Sequence, residues 1–193
     1  MGTESKEIII QTALEIIGQE GIHKITTREV AKRANVNIAA LNYHFGTKDN
    51  LIRQALEVFM GTMGEAYSLL FNKELKPDQR LLAFMKRFAE ISVKYPGAAK
   101  SLVGQMMWTE TSNPVLAESQ RRGIKSLTDS LQQLTGIKKE KTLLQLGLQI
   151  MSAIIYPVLL SKQLTDLYGL DYTVQVERDA YIESLFLQYV GGK

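Results

Sequence analysis

Between Ile25 and Gly46 the chain crowds two helix starts and two helix stops into one short stretch, which leaves few ways to fold it. Thr26 offers a side-chain cap, Glu29 can bond back, and Ile25 can staple onto Val30, so a helix begins here on three agreeing signals. It has room for about two turns before Asn35, a residue type that accepts the left-handed backbone that closes a helix. Asn37 then caps a further helix, Val36 is placed to staple onto Leu41, and Gly46 ends it. The predicted result is helix, tight turn, helix. An apolar repeat at Ile10, Ala13, Leu14 and Ile17 predicts a longer helix ahead of this pair, over 4–20, stopped by Gly21. Thr47 caps the helix that follows, which carries Asp49 at the positive end of its dipole and extends to about residue 71.

Beyond Lys76 bulky apolar residues become denser. Pro77 and Pro114 suit the first position of a helix, with Asn113 as a cap for the latter, and Pro96 with Gly97 separates a shorter segment. Helices are expected over 77–94, 98–109, 114–135, 139–162 and 173–190. No alternating run of β-branched residues survives, so the fold class is all-α, without internal repeats or low-complexity tracts. The expected organisation is a helix-turn-helix domain over 1–53 and a larger helical domain over 54–193, with the boundary inside the fourth helix.

The 193 residues are enough to bury a core without staples, and there is no cysteine. Disulfides and thiolate metal sites are therefore excluded, His23 and His44 are the only imidazoles, and no metal site or cofactor is expected. The first residues are polar and mixed in charge, unlike a signal peptide, which suggests a cytoplasmic protein. Net charge is only +3, too mild to imply a polyanionic partner by itself. Locally, however, Lys24, Arg28, Lys32, Arg33 and Lys48 face one acid, Glu29, a surplus of four positive charges over that stretch. A solvated surface is the ordinary explanation of such a cluster. Beside a paired-helix motif it also suits phosphates.

A tight helix pair with flanking cations lets one short helix enter the major groove while its neighbour crosses the backbone. The inserted helix must be held from behind, here by Leu41 and Phe45 with Val36, leaving Asn37, Ile38, Ala39, Asn42, Tyr43 and His44 largely free. The stretch ITTREVAKRANVNIAALNYHFGTKDNL resembles the amino-terminal helix-turn-helix of the TetR family of transcriptional regulators. The resemblance covers about the first 55 residues, and Tyr43-His44-Phe45 followed by Lys48 is its most diagnostic piece. It implies double-stranded operator DNA as partner, with Thr27, Arg28, Tyr43, His44 and Lys48 on phosphates. Base edges then fall to Asn37, Ile38, Ala39, Ala40 and Asn42, where Asn42 can pair bidentately with adenine and the apolar groups can touch thymine methyls. The sequence departs from the family's common pattern with Asn35 where the turn often has Gly, Asn37 where Ser is frequent, and Asn42 where an aromatic residue is usual.

Symmetric operators are read by two-fold dimers, so a homodimer surface is expected. The last helix carries Tyr181, Ile182, Leu185, Phe186 and Tyr189 at three-four spacing, a stripe that must bury against something. Residues 143–160 are apolar on nearly every face, which predicts a helix enclosed by neighbours. A membrane span is the rival reading, and it is disfavoured because Gln145, Gln149, Ser152 and Pro157 interrupt a stretch barely long enough to cross a bilayer. Gln145, Gln149, Ser152 and Tyr156 form a polar line that suits either a dimer seam or a ligand. The resemblance implies a four-helix dimer bundle from the last two long helices of each subunit, and a cavity for a small-molecule effector in each carboxy-terminal domain. Candidate cavity residues are Met85, Phe88, Met106, Met107, Trp108, Met151 and Tyr156, although such a stripe also describes plain core. Few charges fall among them, so a largely apolar or aromatic effector is expected. Effector binding would release a repressor from its operator, and an activator is equally compatible with these residues.

An enzyme is not expected: there is no phosphate-cradling glycine loop, no metal-spaced His and carboxylate set, and no nucleophile elbow, hence no catalytic residues. The alternative from another class is an all-helical protein-interaction module that keeps the motif as scaffold only.

Overall fold

The computed structural model describes residues 2–108 and 114–190, with side chains over 5–104 and 117–190. Ten α-helices and two 3-10 turns make up the regular structure, and no strand occurs among the described residues. In chain order the helices are α1 (Gly2–Glu20), α2 (Thr27–Arg33), α3 (Ile38–Phe45), α4 (Lys48–Ser68), α5 (Pro77–Lys94), α6 (Pro96–Trp108), α7 (Pro114–Thr135), α8 (Glu140–Leu159), α9 (Ser161–Tyr168) and α10 (Gln175–Val190). They group into two compact units. The first takes the described residues of Met1–Gly61 and Tyr95–Trp108, and the second those of Thr62–Lys94 and Thr109–Lys193.

In the first unit α1 is the central strut, packed by α2, α3 and α6. Its buried face is wider than the single stripe expected. Ile9, Ala13, Leu14, Ile16 and Ile17 are buried and Ile10 only partly, because α6 covers a second side of the helix. That approach depends on Gly97, where an ideal Cβ would stand 1.9 Å from the Ile17 carbonyl oxygen. Tyr95 meanwhile lies against Gly18 and makes an edge contact with Phe59, ring centroids 6.0 Å apart. Pro96 and Gly97 therefore belong to the first turn of α6 instead of separating it from α5, as proline at the first helical position allows. Joining Tyr95–Trp108 to the first unit is the feature that a single cut after Arg53 does not contain.

In the second unit α5 is the hub, packed by α7, α8 and α10, with Leu81, Phe84, Met85, Phe88, Ala89 and Ile91 buried. Helix α8 keeps Pro157 inside it. Proline has no N–H to give to the carbonyl four residues back. The Tyr181 hydroxyl of α10 donates to that carbonyl, Ala153 O, at 2.7 Å. Helix α8 stops at Leu159 and α9 follows at once, where one continuous helix to residue 162 was expected. Nor is α8 enclosed: Leu144, Leu148 and Tyr156 are exposed on it. By length and composition alone it could cross a membrane, with mean hydropathy 1.6 and 33% of that window buried in the chain.

Candidate DNA-binding surface

The geometry of the helix pair follows from its caps. Thr26 Oγ1 accepts the Glu29 N–H at 3.1 Å and starts α2. Asn35 takes a φ of 53°, and the chain closes α2 with Asn35 N–H to Lys32 O (3.3 Å) and Val36 N–H to Ala31 O (3.0 Å). Asn37 Oδ1 accepts the Ala39 N–H at 2.8 Å and starts α3. Gly46, at φ 67°, ends it. All four devices are local, and each places the next helix.

Helix α3 is two-faced. Leu41 and Phe45 are 1% and 3% exposed, whereas Asn37, Ile38, Ala39, Asn42 and Tyr43 are exposed and Ala40 and His44 partly so. Tyr43, at 87%, stands free in solvent except for an edge contact with His44, centroids 5.3 Å apart. A large aromatic this bare has no packing role to explain it. Arg28 and Lys48 are exposed at the first turns of α2 and α4, and neither has an ion pair among the described residues. Thr27, also in the first turn of α2, is partly exposed.

Asn50, which sequence reasoning did not single out, and Arg33, which it counted only as a cation, hold this surface in place. Asn50 Nδ2 donates to Phe45 O at 2.8 Å while its own N–H bonds Thr47 Oγ1 at 3.2 Å, so one side chain ties the end of α3 to the start of α4. Arg33, counted above with the free cations, instead bridges Glu20 of α1 (2.5 Å) and Glu29 of α2 (2.6 Å). The bond from Arg33 holds the Glu20 carboxyl below its usual range. The positive charge facing solvent is therefore carried by Lys24, Arg28, Lys32 and Lys48. Asn50 was legible as an Asn in a first turn, but Arg33 was not, because Glu20 lies 13 residues away.

The other candidate residues are dispersed. Met85 and Phe88 are core of the second unit, Met151 is partly buried, and Tyr156 sits on the exposed face of α8 beside Gln145, Gln149 and Ser152. The side chains of Met106, Met107 and Trp108 lie outside the described residues. Ile182 and Leu185 are buried within their own chain, at 1% and 6% exposure, and Tyr181 is engaged with Ala153. Phe186 and Tyr189 are partly exposed. The second unit also holds Tyr67, which the sequence reading passed over. Its ring lies 5.0 Å from that of Phe84 and 5.8 Å from that of Phe88, and burial pushes its phenol up to about 12.

Comparison with known proteins bears on the same surface. Residues 9–55 match the family described as bacterial regulatory proteins, tetR family. The chain is 36% identical over 66 residues to the HTH-type transcriptional dual regulator CecR of Shigella flexneri, covering 34% of this chain and 29% of that protein. It is 26% identical over 106 residues to the nucleoid occlusion factor SlmA of Vibrio cholerae, 54% of each chain. The matched stretches thus span about half or less of these relatives. A TetR transcriptional regulator from Legionella pneumophila superposes with a TM-score of 0.71 over 96% of both chains at 18% identity, a likeness of fold.

Proposed function

Because the chain belongs to the TetR family of bacterial regulatory proteins, we propose that it is a DNA-binding transcriptional regulator, a repressor that a small effector releases from its operator. One observation carries the DNA-binding reading: α3 buries Leu41 and Phe45 and turns Asn37, Ile38, Ala39, Asn42 and Tyr43 outward. In this reading residues 1–53 bind DNA and residues 54–193 bind effector and partner. Asn37, Ile38, Ala39, Ala40 and Asn42 meet base edges, and Thr27, Arg28, Tyr43, His44 and Lys48 meet phosphates. Phosphate contacts supply affinity without sequence information, while base contacts supply preference. Lys48→Ala is therefore expected to weaken binding to all sequences alike and to flatten the dependence of log K on log salt by about 0.9. Asn42→Ala is expected to change preference at one base step by about 1–3 kcal/mol. Gel shifts with the DNA flanking the gene, over a salt series, separate the two. A scaffold that no longer binds DNA would give no selective shift even at low salt.

The homodimer reading rests on α8 and α10. Leu144, Leu148 and Tyr156 on α8 and Leu187 on α10 are 41–63% exposed, a quantity of apolar surface that a partner would cover. The polar line Gln145, Gln149, Ser152 and Tyr156 runs along the same open side of α8, which favours a seam over an interior ligand for these residues. Leu148→Glu is expected to give monomers by light scattering, and a persistent dimer would place the seam elsewhere. The effector reading rests on the likeness to the TetR family, and the largely apolar interior of the second unit suits an apolar or aromatic compound.

A further inference from the structure

Arg178, in the first turns of α10, is 8% exposed and has no carboxylate partner among the described residues. Its terminal nitrogen donates to the carbonyls of Tyr172 (3.1 Å) and Thr173 (3.3 Å), so the loop before α10 wraps over it. Its Nε–H, shielded from solvent, meets no acceptor. The acids next to it in sequence are turned elsewhere. Glu177 accepts the Asp171 N–H at 3.0 Å, and Asp179 lies 3.8 Å from Lys86. A buried guanidinium whose charge only neutral carbonyls meet is costly unless something anionic completes it.

The same residue lines a cleft of the second unit whose other walls include Ala89, Val93, Ile154, Val158 and Tyr181. The cleft measures about 200 Å³ with its open mouth and narrows beside the guanidinium, so an anion would set one atom against the guanidinium and keep the rest of its bulk in the mouth. With Nε–H as the one donor shielded from solvent and left without an acceptor, and walls that are mostly aliphatic apart from Tyr172 and Tyr181, the cleft suits a monoanion better than phosphate, which asks for several donors. We propose that it is a monoanion site in which Arg178 Nε donates a charge-assisted hydrogen bond to a small anion, a halide or the head of a short-chain carboxylate. A bound anion would tie the loop before α10 to α5 and α8. The site is independent of the DNA-binding reading and would exist in a protein that binds no DNA.

The test uses crystals of the full chain grown in sodium bromide and thermal melts in sodium butyrate against sodium chloride at matched ionic strength. An anomalous peak beside Arg178 Nε establishes the anion site. A melting temperature raised by about 2 °C or more in butyrate over chloride assigns the carboxylate, and equal melts with a bromide peak assign the halide. Arg178→Gln should abolish the butyrate shift, and an undiminished shift in that variant overturns the site. Should Arg178→Gln not fold, the wild-type crystals decide. Water at Nε in concentrated bromide, with no anomalous signal and no butyrate effect, overturns the proposal.

Discussion

Leu41→Ala is expected to destabilise the first unit by about 2–5 kcal/mol and to abolish selective DNA binding. Leu41 is 1% exposed on a helix of only eight residues, and it is one of the two side chains that α3 buries. Removing its isobutyl group subtracts transfer energy and leaves a cavity that α1 and α2, themselves packed on each other, cannot close. So short a helix has no stability of its own to fall back on. The proper contrast is Asn42→Ala, one residue further along and turned to solvent. Being exposed, it should move stability by no more than about 0.5 kcal/mol while changing base preference. Thermal melts with paired gel shifts read both quantities. If Asn42→Ala cost the stability and Leu41→Ala only the DNA preference, α3 would present the other face and the regulator reading would go with it.

How much of this was legible in sequence depended on the range of the interactions involved. The limits of α2 and α3 rest on Thr26, Asn35, Asn37 and Gly46, each acting within six residues of itself, and the sequence displays all of them. The starts of α5 and α7 were equally plain in Pro77 and Pro114. Where tertiary contacts decide, the sequence was silent or misleading. A helix through Pro157 was expected, but nothing local announces that Tyr181, from α10, takes the Ala153 carbonyl that proline leaves without a donor. The break at Leu160 has no glycine or proline to announce it, and α9 was missed.

The same division runs through the candidate site. Leu41 and Phe45 as inward anchors follow from helical period alone, and so does the outward set on α3. Arg33 as a brace to Glu20 does not, since a basic residue near a DNA-binding motif looks like every other until its partner is placed. On α10 the sequence shows a three-four stripe, but period cannot say against what, or whether, each of its residues is buried. Ile182 and Leu185 bury in their own chain, and the outward apolar residue Leu187 lay outside the stripe.

The second large effect is a sign reversal between two glycines. Gly97→Ala is expected to destabilise the first unit by about 1–3 kcal/mol, whereas Gly61→Ala should stabilise it by about 0.5–1 kcal/mol. Both residues lie in helices, where alanine is the better helix former, so propensity alone predicts a gain at each. At Gly61 nothing stands within 4 Å of a new Cβ, and the propensity gain is realised. At Gly97 the new atom would be 1.9 Å from the Ile17 carbonyl oxygen and 3.0 Å from that of Gly18. Those are backbone atoms in the last turn of α1, so relief requires α6 to lift away from the helix it covers, exposing Ala98 and Ala99, which are 0% and 4% exposed. Overlap with a fixed backbone exceeds the propensity term, which is weaker still in a first helical turn. Calorimetric melts of the two variants should move in opposite directions. A shift of both to higher temperature would mean that α6 does not rest on α1, and that Tyr95–Trp108 belongs with the rest of the carboxy-terminal chain.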